Sequence, residues 1–542
     1  MKVRKAISKC AAVLFILAIT IPVGAQKEGL QSIHADDMRF HMRFLSADEF
    51  RGRNTPSVEL KIASRYIALT AEKIGLKPLM PDGSYYQEIP LEVTKVSEAA
   101  STITLTTETS KQTFSFAKSF GVRGRYIDPG RASGEVVFLG LGIHASEFGW
   151  DDYGNVDLTG KIAVFLDVPL PDDHVLKPRE NRRLFWNRGQ IIRERGAVAI
   201  LTVINEEREQ HFAEKRLLFD NPERARVIDT ETAFWATTSP ALYQIEIRHE
   251  LAAEILRISE TELTQLFKKI AQGSRVDGKE VMGQQLDIAV QFDTRKGETY
   301  NVVATIEGSD PKLKDEYVLF GSHHDGIGYR EERIFNGADD NISGVAAMFE
   351  LAEAMMIEKP KRSVIFVWHT GEEKGLYGAH YFVAHSPVPV EKMSAELNMD
   401  MLCRNDPNSI YLIGSNKLSS EFDKAIHEMN DAHIHMNLDY EYEDPGHPDR
   451  FFFRSDQYPY IRYGVPGVWF FCGTTEDYHQ ETDTEEKADY QKMEKVTKLV
   501  YLTAMEIGNR KNILKLDVND KIKTRGKHNL EYNWRATLEQ NR

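Results

Sequence analysis

The chain is nearly devoid of cysteine, with three in 542 residues, and one of these, Cys10, falls in a segment that reads as a leader. Cys403 and Cys472 alone cannot supply a disulfide framework, so an apolar core must hold the fold. The two thiols are expected as buried groups or as one bridge. Basic charge is also scarce: Lys and Arg number 68 against 82 Asp and Glu. Removing Lys2, Arg4, Lys5 and Lys9 with the leader, which has no acid, takes the formal charge from −14 to −18. Such a surface repels polyanions and excludes nucleic acid as a partner. Internal repeats and low-complexity tracts are absent too.

The one long apolar run is N-terminal, from Ala11 to about Val23, behind four basic residues and ahead of Val23-Gly24-Ala25. It is too short for a comfortable membrane span and ends in small residues. The expectation is a secretory signal cut after Ala25, a secreted or periplasmic protein, and no stable membrane span once the signal is gone. The length predicts two or three folded units.

Apolar periodicity predicts helices over His34 to Leu45 and Val58 to Ile74, the second stopped by Gly75, then a strand from Tyr85. From about Gly134 to Ile247 short apolar strands alternate with glycine turns, which indicates a separate β-rich unit without a compact set of carboxylates and imidazoles. From Tyr300 strands and helices alternate. Strands are expected at Asn301 to Ile306, Tyr317 to Gly321, Ser363 to Trp368, Ala395 to Met401 and Gly467 to Phe471. Helices are expected at Ser343 to Ile357, Ser419 to Met429 and Tyr490 to Ile507. This pattern gives a mostly parallel sheet between helical layers. The tail from 511 reads as a polar, loosely ordered or surface-packed segment.

Five segments in this half carry the chemistry: GSHHDG, GADDN, TGEEKG, NMDM and DYHQETD. They hold His323, Asp325, Asp339, Asp340, Glu372, Glu373, Asp400, Tyr478 and His479. Carboxylates and imidazoles without thiolates suit zinc or a similar divalent ion, and they are numerous enough for two ions with one glutamate to spare for water activation. His323, Glu373 and Asp400 fall at or just after strand C-termini, where open α/β sheets place their sites. Glu372 and Glu373 are expected on a turn, since adjacent helical residues diverge by about 100°.

The series GSHHDG, GADDN-x-SG, TGEE-x-GLYG, NMDM, RSDQ and DYHQETDT resembles the zinc exopeptidases of the M28 aminopeptidase family, over nearly all of residues 300 to 505. The segments Leu45 to Arg53 and Lys73 to Lys77 resemble the family's N-terminal part. Gly160-Lys-Ile-Ala-Val and Arg195-Gly-Ala-Val-Ala are similar to a protease-associated (PA) insert. The resemblance implies an α/β fold with a mostly parallel, mixed sheet sandwiched by helices and an inserted β-rich domain. The divisions are 1–25 signal, 26–115 first part of the peptidase domain, 116–285 insert, 286–510 catalytic di-zinc domain and 511–542 tail.

The same resemblance implies two zinc ions, with cobalt or manganese as substitutes. Asp339 would bridge them, His323 and Asp400 completing one site and Glu373 and His479 the other. Glu372 would be the general base and Tyr478 the donor to the oxyanion. Asp325 would fix the tautomer of a ligand histidine and Asp340 would be structural, with a cis peptide between Asp339 and Asp340. Arg454, in the RSDQ segment where Gln457 replaces the family's usual histidine, is the candidate for substrate contact. His324, His427, His433, His435 and His447 read as surface or loop residues, with His324 and His447 the exceptions that position favours, and Cys403 and Cys472 as non-nucleophilic. The implied activity is removal of an N-terminal residue from a peptide. The alternatives are a glutamate-carboxypeptidase-like enzyme, using cations among Arg404, Arg450, Arg454 and Arg462, and a non-catalytic binding ectodomain. Oligomeric state and preferred residue are not legible.

Overall fold

Residues 318–320 set the pattern of the C-terminal half: Val318 and Phe320 face one apolar layer and Leu319 the other. Val364, Phe366 and Trp368 against Ile365 and Val367 repeat it on the neighbouring strand. Both faces of these strands are buried, which is the condition under which parallel strands are stable. The structure, a computed structural model, describes residues 25–124, 127–177, 181–228, 239–330 and 332–529. The leader expected at 1–25, apart from Ala25, and the tail beyond 529 lie outside these residues.

The main sheet runs in the order Arg224–Val227, Tyr86–Val96, Phe292–Ile306, Ser363–His369, Tyr317–His323, Met393–Met399, Gly467–Phe471, Ser409–Ile413 and Asn437–Asp439, with Lys77–Pro78 paired to the third. The middle four of these strands, from Ser363–His369 to Gly467–Phe471, are mutually parallel. Antiparallel strands flank them on both sides, so the sheet is mixed. On one face lie the helices Ala35–Leu45, Val58–Ile74, Ser343–Ile357 and Tyr490–Asn509. On the other, Tyr377–Ala384 and Gln457–Arg462 pack through Phe382 and Tyr460. The helix Ser343–Ile357 is buried almost all round, because the sheet and the helices Ala35–Leu45 and Tyr490–Asn509 enclose it. Val58–Ile74 begins and ends where its sequence signals it should: Ser57 accepts from the Leu60 amide at 3.0 Å, and Gly75 at φ 105° takes the left-handed closing position.

A second sheet of eight strands has its own core around Val136, Phe138, Ile162, Val164 and Leu201. It extends from Thr102 to Val290, beyond 116–285 at both ends, because Thr102–Thr107 pairs with the strand Lys279–Val290, which also runs along Gly130–Phe138. One strand from within this stretch, Arg224–Val227, instead joins the edge of the main sheet against Tyr86–Val96. No described helix is long and apolar enough to cross a membrane.

The last described residues are docked rather than loose. Leu514 and Ile522 are buried, and Arg525 donates to the carbonyls of Ser394 and Leu514. The tail thereby covers the start of the strand that ends beside Asp400.

Candidate active site

Three of the four parallel strands end in the site. His323 closes Tyr317–His323, Asp400 follows Met393–Met399 directly, and the turn carrying Glu372 and Glu373 follows Ser363–His369. Gly371 (φ 66°) and the bond from the Gly375 amide to the Glu372 carbonyl make that turn, as expected for two glutamates that must face different partners.

His323 Nε2 stands 3.2 Å from Asp340 Oδ1 and 3.4 Å from Asp400 Oδ1. His479 Nε2 stands 3.1 Å from Asp340 Oδ2 and 3.4 Å from Glu373 Oε1. These are two triads, His323-Asp340-Asp400 and Asp340-Glu373-His479, each with its donor atoms within 4.8 Å of one another. They share Asp340, which turns one oxygen to each histidine.

The expected bridge, Asp339, points elsewhere. Its Oδ1 accepts from the Cys403 amide at 2.8 Å and its Oδ2 from the Cys472 thiol at 3.3 Å. The reason lies in the 337–341 turn, which opens with Gly337 in the left-handed region (φ 57°) and sends the two neighbouring carboxylates to different partners. The cis peptide is correspondingly at Asp340–Asn341 instead of Asp339–Asp340. Asp340 therefore takes the shared position that the sequence reading gave to Asp339, and Asp339 takes the structural one.

The donor set fits a pair of divalent cations. His323 Nε2, Asp400 Oδ1 and Glu373 Oε1 are buried without a well-formed hydrogen bond from the protein. Buried polar atoms are rarely left so, and here they converge as nitrogen and oxygen donors of the kind zinc takes. Each triad has three donors, which leaves a position open for water or substrate.

Surrounding groups fix the donors. His323 Nδ1 lies 3.2 Å from the carbonyl of Asp325 and 3.7 Å from its carboxylate, so the carbonyl is the better acceptor. The Asp325 carboxylate is used for positioning: it accepts from Thr55 Oγ1 at 2.9 Å and from the Glu372 amide at 3.1 Å. Ser455 donates to Asp400, and Asn398 to Ser455. Asn341 accepts from the amides of Gly344 and Met401 and donates to the Met399 carbonyl and Ser322. It thus joins the segments of His323, Asp340 and Asp400. Arg53, fully buried, donates to the carbonyls of Leu45, His324, Asn336 and Gly337.

Tyr478 stacks on His479 at 3.8 Å between ring centroids, and burial raises its hydroxyl well above the ordinary tyrosine value. Arg454 is exposed, with its guanidinium 4.9 Å from the centre of the Phe451 ring. Glu372 is held well above the usual carboxyl range by burial, with the adjacent carboxylates of Glu373 and Asp400 adding to the effect and His323 opposing it. Cys403 and Cys472 are free and buried, their thiols raised by burial and by Asp339. His324, one of the two histidines set apart by position from the surface-or-loop reading, lies in a loop but is fully buried, with Nε2 2.8 Å from Ser64 Oγ and Nδ1 2.7 Å from the His369 carbonyl.

Sequence reasoning missed Asn341, Ser455 and Asp483, whose roles are hydrogen bonds across long separations.

A pH dependence follows for the metal-free protein. Burial opposes charge on His479, but Glu373 and Asp340 lift it from 6.5 to about 10. A raised folded value contributes stability that is complete below the unfolded value near 6.5 and is lost as pH rises through about 10. Chelated protein should therefore lose thermal stability between those limits, and zinc affinity should weaken toward acid because binding displaces the protons. Melting curves with chelator across this range would show it, and a flat profile would refute it.

Residues 301–504 match peptidase family M28. A probable leucine aminopeptidase 2 of Aspergillus oryzae is 30% identical over 192 residues, which is 35% of this chain and 36% of the relative. An aminopeptidase of Pseudomonas aeruginosa is 36% identical over 131 residues, 23% of each chain. The chain thus spans about a third or less of the curated relatives it matches. In fold it is similar to the aminopeptidase from Aneurinibacillus sp. strain AM-1, with TM-score 0.54, 18% identity, and 91% of this chain and 98% of that one covered. The zinc aminopeptidase BSAP from Bacillus subtilis gives TM-score 0.54, 15% identity, and 91% and 99% coverage. Residues 301–504, which hold the two histidine-carboxylate triads at the strand ends, are thus the part of the chain that is similar to peptidase family M28, and the mixed sheet is the fold it shares with those two structures.

Proposed function

We propose that the protein is a secreted di-zinc aminopeptidase that removes N-terminal residues from peptides, with Glu372 as general base. The observation that carries this reading is the sharing of Asp340 between the two triads. His323, Asp340 and Asp400 would hold one zinc ion, and Asp340, Glu373 and His479 the other. Zinc, when bound, polarises the scissile carbonyl and makes water a nucleophile at neutral pH.

The chain's own groups supply the rest. Glu372, its amide fixed by Asp325, takes a proton from the attacking water and passes it to the leaving amine. Its raised affinity for a proton suits it to both halves of that transfer. Tyr478, held by its stack on His479, donates its hydroxyl hydrogen to the developing oxyanion. Arg454 sits at the exposed side as a substrate contact, and the second sheet is a PA-like domain covering the peptidase. Of the four cations that the carboxypeptidase alternative invokes, two are already spent: Arg404 is committed to Asp483 at 2.8 Å, and Arg462 is fully buried.

A panel of aminoacyl reporter substrates, with and without chelator, tests the proposal. Turnover should need a free amine, stop with chelator and return with zinc. Hydrolysis of N-acetylated peptides at the same rate would remove the aminopeptidase reading.

A further inference from the structure

Three consecutive amides, those of residues 338, 339 and 340, converge on one residue four positions beyond His479. The Ala338 amide donates to the Asp483 carbonyl at 3.2 Å. The Asp339 amide lies 3.1 Å from both Asp483 carboxylate oxygens, and the Asp340 amide 3.1 Å from Oδ2. The remaining capacity of Oδ1 is taken by Arg404 Nη2 at 2.8 Å, which also donates to the Thr484 carbonyl at 2.8 Å. Arg404 Nη1 donates to the carbonyl of Cys403 at 3.2 Å, and the Arg404 carbonyl accepts from buried Lys492 at 2.6 Å. Asp483 and Arg404 are 4% and 6% exposed, so water competes little for these bonds.

This arrangement resembles the hydrogen bonding that orients ligands from behind, acting through the backbone of Asp340 instead of its side chain. A carboxylate that accepts from successive amides and a guanidinium is bound by charge-assisted bonds with strict direction. Because Asp483 belongs to the His479 segment, it sets the distance between that histidine and the shared carboxylate. Arg404, four residues beyond Asp400, ties in the third ligand segment.

We propose that Asp483, held by Arg404, is a positioning residue that aims the Asp340 carboxylate between the two histidines and thereby sets the affinity of the site for its cations. This rests on the reading of the triads as a zinc site. Groups that orient metal ligands typically change affinity by about 10- to 100-fold when altered.

The test is calorimetric titration of zinc into the chelator-stripped full chain, wild type against Asp483→Asn, with thermal melts of the metal-free proteins. The cobalt visible spectrum, and kcat and KM at saturating zinc, complete the set. Asn has nearly the shape of Asp but offers one acceptor where two are used, and it turns an N–H toward donors. The expected result is zinc binding weaker by about 10- to 100-fold, a shifted cobalt spectrum, a lower metal-free melting temperature because an N–H then faces buried donors, and an unchanged KM. Should the Asn protein fail to fold, Arg404→Lys is read in the same way, since it keeps the charge but not the planar fork. Zinc affinity within twofold of wild type overturns the positioning role, as does a loss of affinity with the cobalt spectrum unshifted. If wild type itself takes up no zinc, the functional reading fails and the positioning role with it. Uptake by wild type with equal uptake by the variant removes the positioning role alone.

Discussion

Asp340→Ala should bind neither zinc ion firmly and should lose more activity than the roughly 10- to 100-fold typical of an altered outer partner. The argument is geometric: one carboxylate presents Oδ2 to His479 at 3.1 Å and Oδ1 to His323 at 3.2 Å. Its removal takes a donor from both triads and leaves buried His323 and half-buried His479 facing Asp400 and Glu373 alone. Asp339→Asn is the matched control. It should keep two zinc ions per chain while losing some stability, because its amide would face the Cys403 N–H or the Cys472 thiol. Metal counting by inductively coupled plasma spectrometry on both variants decides the matter. Two ions in Asp340→Ala and fewer in Asp339→Asn would reverse the assignment.

Glu372→Gln is expected to keep both zinc ions and lose about 10²–10⁴-fold in kcat, the usual contribution of a general base. That corresponds to roughly 2.7–5.5 kcal/mol of transition-state stabilisation. Gln retains the backbone bond to Asp325 and nearly the same volume, so the loss should fall on kcat and leave KM close to wild type. Glu372 Oε2 lies 3.9 Å from His323 Nε2, farther than Asp340 or Asp400, in keeping with a group beside the ions instead of on them. Turnover within threefold of wild type would take Glu372 out of the mechanism.

What the sequence made legible was whatever depends on period and order. The apolar runs around Phe320 and Phe366 predict strands, and strands that end at His323 and beside Asp400 place ligands at one edge. The TGEE turn is likewise local. The choice between Asp339 and Asp340 was not legible, because the two are the same residue type and only the dihedrals of the 337–341 turn send one to the histidines and the other to the Cys403 amide and the Cys472 thiol. Residues such as Asn341, Ser455 and Asp483 act through hydrogen bonds to segments 55 to 144 positions away, which no periodicity records. For the tail, polar composition leaves loose ordering and surface packing both open. Its polar composition hides Leu514 and Ile522, two apolar anchors that suffice to dock it.

Arg53 has a consequence for the order of events during synthesis. Three of its four acceptors, His324, Asn336 and Gly337, emerge 271, 283 and 284 residues after it. At about 5–20 residues per second, the first of these follows Arg53 by roughly 14 to 54 s. Throughout that interval the second sheet is being made, and its strands from Thr102 to Val290 have their own core to collapse around. The helices ahead of Arg53 must meanwhile wait for a surface that does not yet exist. Even with its middle folded, the chain lacks these acceptors for Arg53 until residues 324 to 337 are in place, and the guanidinium closes the structure only when the site it braces has arrived.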